Sequence, residues 1–285
     1  MKKQTATGSS AKSRDKIAEG RVDEKPSLTV IIPVYNEEKY LRRCLDSIVR
    51  QTEQPDEVII IDDGSTDGSL EIIKEYCATL GWKYKSKING GVSVARNVGL
   101  ELSTSDYITF LDSDDEYFVS AIASMKKAIK KYPDEDMIQF NHLRYYAKID
   151  KMVQKYDNRA AIFDITNIDP NMKKYCKHWF CVWNKVFKYN ALRFDERLRY
   201  GEDGTYVLEH LIRDYKIRCI DELTVIHHFE NKNSLTRTKT EDDYNKLISV
   251  YMKDFLHKTT RTDVAQNIMA CIIEIEKAKE KWITM

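Results

Sequence analysis

The stretch Tyr107-Ile108-Thr109-Phe110-Leu111-Asp112-Ser113-Asp114-Asp115 constrains the chain most, because an apolar run ends there in three carboxylates within four residues. Its β-branched and aromatic part reads as a buried parallel strand, and the chain must leave the sheet where the acids begin. Open α/β sheets bind ligands at the carboxyl ends of their strands, so these acids would line the mouth of a crevice. Carboxylates this close repel one another unless something positive lies among them, and a divalent cation sharing phosphate oxygens meets that need. An acidic turn capping the following helix explains the same residues. A calcium loop does not. Counted from Asp112, the sixth position is Tyr117 and the twelfth Ala123, where Gly and Glu are required.

The segments on either side repeat the strand-then-helix pattern. Leu28-Thr29-Val30-Ile31-Ile32-Pro33-Val34 is a buried strand closed by proline, and Leu41, Cys44, Leu45, Ile48 and Val49 follow at the spacing of a core-facing helix. Val58–Ile61 is a second strand. Ile73, Tyr76, Cys77 and Leu80 mark a second helix, residues 82–87 a weaker strand, and 118–131 a further helix before a strand at 137–140. Such alternation predicts βαβ units and an α/β fold with a mostly parallel central sheet flanked by helices. Beyond residue 141 the pattern turns irregular: a hairpin or excursion over 142–156, an aromatic strand at 179–187, a helix after Gly201, strands near 216–220 and 223–229, then two amphipathic helices. Residues 1–26 carry almost no large apolar side chains and are expected to form a disordered basic tail.

Composition narrows the partners. Lys and Arg number 46 against 45 Asp and Glu, so no global positive field argues for nucleic acid. No apolar run is long enough to span a bilayer, and no signal-peptide core is present, which points to a cytoplasmic protein. Six cysteines without a CxxC pair read as reduced residues, which disfavours zinc.

Several chemistry-bearing segments should meet at the carboxyl edge of the sheet. In Pro33-Val34-Tyr35-Asn36-Glu37 an aromatic, an amide and an acid could stack on and hydrogen-bond a planar base, or simply form a strand-to-helix turn. In Asp62-Asp63-Gly64-Ser65-Thr66-Asp67 the acids could accept from ribose hydroxyls or a uracil N–H, with an Asx turn as the structural alternative. Its twelfth position from Asp63 is Lys74, so this is no calcium loop either. Arg96, one turn into a helix after Gly90-Gly91, could pair with a phosphate or form a structural ion pair. No GxGxxG or GxxxxGK[ST] sequence is present, which disfavours a Rossmann or Walker-type site.

These segments, taken in order with Gly91-Val92-Ser93-Val94-Ala95-Arg96-Asn97, Phe110–Asp115, Trp183-Asn184-Lys185 and Gly201-Glu202-Asp203, closely resemble the inverting family 2 glycosyltransferases with the GT-A fold, over roughly residues 28–236. The resemblance implies a catalytic domain at 27–237, with a donor half at 27–140, an acceptor half at 141–237 and a C-terminal helical extension at 238–285. It implies a nucleotide-sugar donor, UDP-linked, contacted by Pro33, Val34, Tyr35, Glu37, Asp62, Asp63, Arg96 and Ser113. Asp112 and Asp114 are then ligands to Mn2+ or Mg2+, with His228 as a further ligand. Asp203 is the implied general base and Glu202 its alternative; helix capping is the plainer role for Asp203. Asp115, Trp183, Asn184, Lys185, Ser234, Thr236 and Arg237 are implied around the donor sugar or acceptor, although a core role for Trp183 competes. The paired histidines His227-His228 stand where many relatives carry Tyr-Arg. The implied acceptor is a glycan or lipid-linked hydroxyl in surface polysaccharide or glycoconjugate synthesis. A peripheral contact at the inner membrane face, a homo-oligomer and a binding protein without turnover stay open.

Overall fold

The computed structural model describes residues 25–146, 151–154, 162–163, 181–213, 216–228, 231, 238–257, 259 and 262–283. The expected tail falls outside them up to residue 24. The described strands form one ten-stranded sheet in the order β3 (Lys83–Ser86), β2 (Glu57–Asp62), β1 (Leu28–Val34), β4 (Tyr107–Phe110), β9 (Lys185–Lys188), β6 (Met137–Tyr146), β10 (Ile217–His228) and β5 (Glu116–Tyr117), with β7 (Lys151–Gln154) beside β6 and β8 (Ile162–Phe163) beside β10.

The first half follows the sequence pattern closely. β1 (Leu28–Val34), β2 (Glu57–Asp62), β3 (Lys83–Ser86) and β4 (Tyr107–Phe110) pair in parallel; β1, β2 and β4 are apolar and buried, as parallel strands covered on both faces are, and β3 is the exposed edge. Alternate residues of β1 face opposite layers. Val30 and Ile32 pack with Leu41, Cys44, Leu45 and Ile48 of α1 (Glu38–Val49), Ile72 and Ile73 of α2 (Ser69–Leu80), and Ile122, Met125 and Ile129 of α4 (Ala121–Lys131). Ile31 packs on the other side with Leu100 of α3 (Val92–Leu102) and Tyr206 and Val207 of α5 (Glu202–Ile212). Each such buried aliphatic side chain is worth about 1.5–3 kcal/mol relative to exposure. Because Val34 lies opposite Asp62 and Ile31 opposite Phe110, the turns after β1, β2 and β4 leave the sheet at one edge.

Beyond β4 the sheet changes direction. β9 (Lys185–Lys188) runs antiparallel between β4 and β6 (Met137–Tyr146), which makes the sheet mixed, with parallel pairing kept by β3-β2-β1-β4 and by β6 with β10. The expected helix over 118–131 starts at Ala121, because Glu116–Tyr117 is taken up as β5 against β10. The two strands expected near 216–220 and 223–229 are one strand, β10 (Ile217–His228), whose pairing with β6 shifts register around Leu223. That irregularity mimics a strand break in sequence. The hairpin expected after residue 141 is present as β6 and β7 (Lys151–Gln154).

The two C-terminal helices have an assignable place. α6 (Glu241–Val250) opens with a capping box between Thr240 and Asp243 and continues into a π-helical stretch at Tyr251–Leu256, before α7 (Thr262–Ile283). Leu247, Tyr251, Phe255, Ile268 and Ile272 pack on Leu198 and Leu208, on either side of the start of α5. Gly201, whose φ is 78°, is the residue before α5, and a Cβ there would lie 2.5 Å from Leu247 Cδ2. Arg199 donates to Asp243 at 2.6 Å and to the Thr238 carbonyl at 2.8 Å. The helices therefore brace the loop that enters α5. No helix among the described residues is long and apolar enough to cross a membrane.

His210 of α5 is fully buried. Its Nδ1–H donates to the Tyr206 carbonyl at 2.9 Å, and its Nε2, 3.1 Å from the Asn190 amide, accepts. Burial pulls its pKa down to about 4. Unfolded, the ring takes a proton near pH 6.5, so the stability carried by keeping it neutral is present above that pH and is lost as pH falls toward 4, by up to about 3 kcal/mol. Urea unfolding at pH 7 and pH 4.5 is expected to show this loss. A His210→Asn variant, weaker at both pH values, should have a shallower slope.

Candidate functional site

The turn after β4 puts its acids among partners from four segments. Asp112 accepts from Arg96 Nη2 at 2.8 Å, and Asp114 accepts from Asn231 Nδ2 at 2.9 Å. The same Asn231 amide reaches Glu37 Oε1 at 2.9 Å, so one NH2 group bridges the turns after β1 and β4. Arg96 Nη1 donates to Glu202 Oε1 at 2.8 Å and to Asp203 Oδ1 at 2.6 Å. Two hydrogen-bonded groups thus meet at the acid turn, Asp112–Arg96–Glu202–Asp203 on one side and Asp114–Asn231–Glu37 on the other. Asn231 was not singled out from sequence; its only signal was membership of the segment after β10.

Negative charge outweighs positive across these two groups. Burial, reinforced by Asp115, Asp112 and Glu37, pushes the Asp114 carboxyl up to about 8, against the donated bond from Asn231. Burial pushes Glu37 up to about 7. Asp203 is also raised well above the usual carboxylate range: burial and the nearby Glu202 and Asp112 outweigh the pull of Arg96. Groups so perturbed in one cluster mark a site built to receive a cation or move a proton.

The residues expected around a nucleotide divide in two. Tyr35 is exposed at the rim, and Asn36, with φ of 54°, accepts from the Thr66 N–H at 2.7 Å, joining the turns after β1 and β2. Glu38 accepts from Gly68 N–H at 2.9 Å and Ser69 Oγ from Glu37 N–H at 2.9 Å, which completes that seam. Pro33, Val34 and Ser113 are buried, and the Val34 carbonyl accepts from Asp63 N–H at 2.8 Å. Asp62 forms the Asx-type turn, accepting from Ser65 N–H at 3.0 Å and from Ser86 Oγ at 2.6 Å. Asp63 accepts from Gly91 N–H at 2.8 Å, from Gly90 N–H at 3.0 Å and from Lys87. Gly64, with φ of 77°, lets this turn approach Asn89, whose backbone nitrogen would lie 2.8 Å from an added Cβ.

Other residues expected at the site are buried. Asp115 is fully buried, accepting from His227 Nδ1 at 2.9 Å and from His228 N–H at 2.8 Å. His228 Nε2 is 2.8 Å from Glu116 Oε1. Trp183 is buried, its ring stacked on His227 at 5.1 Å, in the core role that competed for it. The Asn184 amide donates to the Phe140 carbonyl at 2.8 Å, and the fully buried Lys185 ammonium donates to the Cys181 carbonyl at 2.6 Å and to Asn184 Oδ1 at 2.9 Å. Arg96, expected around the nucleotide, is a buried ion-pair centre here. Asp203 does not cap α5, because Gly201 holds that position. Ser234, Thr236 and Arg237 lie outside the described residues.

Two carboxylates plus phosphate oxygens are the donor set that Mg2+ and Mn2+ prefer. Asp112 and Asp114 fit it, and the excess charge around Asp114 is what such an ion would neutralise. Among the described residues no three His, Cys, Asp or Glu side chains gather into a ready ligand group. His228, the further ligand implied by the resemblance, has its Nε2 engaged by Glu116.

With six acids and bases gathered at one sheet edge, known proteins offer a direct comparison. The sequence matches the family model described as Glycosyl transferase family 2 over residues 29–195. The chain belongs to glycosyl transferase family 2. Glycosyltransferase GlyA of Streptococcus pneumoniae is 34% identical over 247 residues, covering 80% of this chain and 34% of that protein. The Bacillus subtilis glycosyltransferase EpsJ, described as uncharacterized, is 30% identical over 234 residues, covering 74% of this chain and 63% of its own. The chain therefore spans about a third of the first relative and under two thirds of the second. The crystal structure of Staphylococcus aureus TarS 1–349 in complex with UDP-GlcNAc superposes with a TM-score of 0.72 at 20% identity, covering 88% of this chain and 73% of that one. The complex with UDP gives 0.68 at 21% identity, covering 87% and 70%. These likenesses establish the GT-A fold expected from sequence.

Proposed function

We infer that the chain transfers a sugar from a UDP-sugar to an acceptor hydroxyl with inversion at the anomeric carbon. One observation carries the reading. Arg96 ties Asp112, in the turn after β4, to Asp203 at the start of α5, so a donor-side acid and a candidate base share one buried cation. The TarS structures, titled as complexes with UDP and UDP-GlcNAc, support a nucleotide-sugar donor. Donor binding is assigned to the half at residues 27–140 and acceptor binding to the half at 141–237, with the helices from 238 onward as support.

In this reading Tyr35 covers the base, and Asp63 accepts a hydrogen bond from a base N–H or a ribose hydroxyl once Lys87 yields its place. Asp112 and Asp114 would hold Mn2+ or Mg2+, which when bound stabilises negative charge on a diphosphate leaving group. Asp203 takes the proton of the acceptor hydroxyl as that oxygen attacks. Its raised pKa makes it a stronger base than an ordinary carboxylate, which suits a weakly acidic hydroxyl. A single displacement opposite the leaving group inverts the configuration. The family resemblance supports a glycan or lipid-linked acceptor.

The test is a screen of UDP- and GDP-sugars for hydrolysis with Mn2+, with Mg2+ and with chelator, since water can replace the acceptor. Metal-dependent release of UDP from at least one UDP-sugar is the expected result. UDP binding without turnover of any sugar, with a supplied acceptor pool as well, would leave a binding protein instead.

A further inference from the structure

One face of α3 is given over to the loop that delivers the candidate base. Ser93, Arg96 and Asn97 lie at i, i+3 and i+4, so they share a side of the helix. Ser93 Oγ donates to the Leu198 carbonyl at 3.2 Å. Asn97 clasps Phe194 at both backbone groups, donating to its carbonyl at 3.0 Å and accepting from its N–H at 2.8 Å. Arg96 completes the row by donating to Glu202 and Asp203, 106 and 107 residues away in sequence. The Phe194 ring lies 5.2 Å from the guanidinium carbon and is itself stacked on Tyr206 at 4.1 Å. The guanidinium is thus supported by a ring on one side and held by carboxylates along its edge.

This arrangement leaves Arg96 no reach toward a nucleotide. Its side chain is 3% exposed, both terminal nitrogens are committed to carboxylates, and Nε is buried without a partner. Contact with a phosphate would require breaking the pairs that fix Asp203.

We propose that Arg96 is a positioning residue: it holds Asp203 in register with the acid turn at Asp112 and contributes to transfer through Asp203, without touching the nucleotide. The proposal rests on the reading of Asp203 as the base. A guanidinium can bond both acids and Asp112 at once, whereas a lysine ammonium is a point charge on a flexible stem, so Arg96→Lys keeps the charge and loses the register.

The experiment is a double-mutant cycle with Arg96→Lys, Asp203→Asn and the pair. It is read as kcat and KM for hydrolysis of the best UDP-sugar, as UDP affinity with Mn2+ by calorimetry, and as melting temperature. Arg96→Lys should keep UDP affinity within about twofold and KM nearly unchanged while kcat falls roughly 10–100-fold, the size of an angstrom-scale misplacement. Combined with Asp203→Asn it should add less than about twofold. Multiplying losses, with Asp203→Asn itself inactive, would overturn the positioning role alone, as would a UDP affinity weakened about tenfold or an unchanged kcat in Arg96→Lys. Near-normal turnover by Asp203→Asn would overturn the base assignment and this proposal with it. Should Arg96→Lys fail to fold, Ser93→Ala loosens the same loop without altering a charge. A lowered kcat at unchanged UDP affinity is expected there, and an unchanged kcat would count against the proposal.

Discussion

The Asp203→Asn variant is expected to fold, to bind UDP with wild-type affinity, and to transfer sugar roughly 10²–10⁴-fold more slowly. The amide can still accept from Arg96 through its oxygen, and Glu202 and Asp112 remain to pair with that guanidinium, so the network survives the substitution. What disappears is the capacity to take a proton. Helix capping gives no competing explanation of such a loss, since α5 is preceded by Gly201 in a left-handed conformation. The measurement is transfer rate beside calorimetric UDP affinity. Near-normal transfer would move the role to Glu202, whose carboxylate meets the same arginine nitrogen.

Asp114→Asn should produce the other large effect, on binding. Losing a partner one shell removed from a metal typically costs 10–100-fold in affinity, so losing a direct carboxylate should cost about 100-fold or more in Mn2+-linked UDP affinity. Metal-free UDP affinity should change little. Because burial and crowding hold Asp114 near pKa 8, most molecules carry its proton at pH 7, and cation binding must expel it. Titrations of the wild type at pH 7 in two buffers of different ionisation enthalpy should report net proton release, a signal reduced in Asp114→Asn. Equal UDP affinity in both proteins with Mn2+ would remove Asp114 from the site.

How much was legible in sequence follows from how local each determinant is. β1, β2 and β4 read directly because their apolar runs are continuous, and α1 because Leu41, Cys44, Leu45 and Ile48 repeat at helical spacing. β10 did not, since the register shift at Leu223 interrupts a strand that the backbone nonetheless continues. Within the site, the acids of 112–114 and 202–203 stood out by type. Their mutual arrangement did not: Arg96 meets Glu202 across 106 residues, and Asn231 meets Glu37 across 194. Trp183 and Lys185 stand out through the resemblance alone, and both are buried in the fold, Lys185 at the start of β9 between two strands. A side chain's direction at a strand end depends on that pairing, which a single sequence leaves open.

The insertion of β9 between β4 and β6 has a consequence for how the protein is made. Tyr107–Phe110 and the first residues of β6 acquire their shared neighbour when Lys185–Lys188 arrives. At ordinary ribosomal speeds the stretch between Phe110 and Lys188 takes on the order of 4–15 s to emerge. Throughout that interval an apolar strand edge of the nascent chain has no native partner, an opening for pairing with other chains. The early parallel unit cannot close its sheet as it leaves the ribosome. Holdase chaperones and slow, low-temperature expression should therefore raise the soluble yield more than changes to the finished surface would.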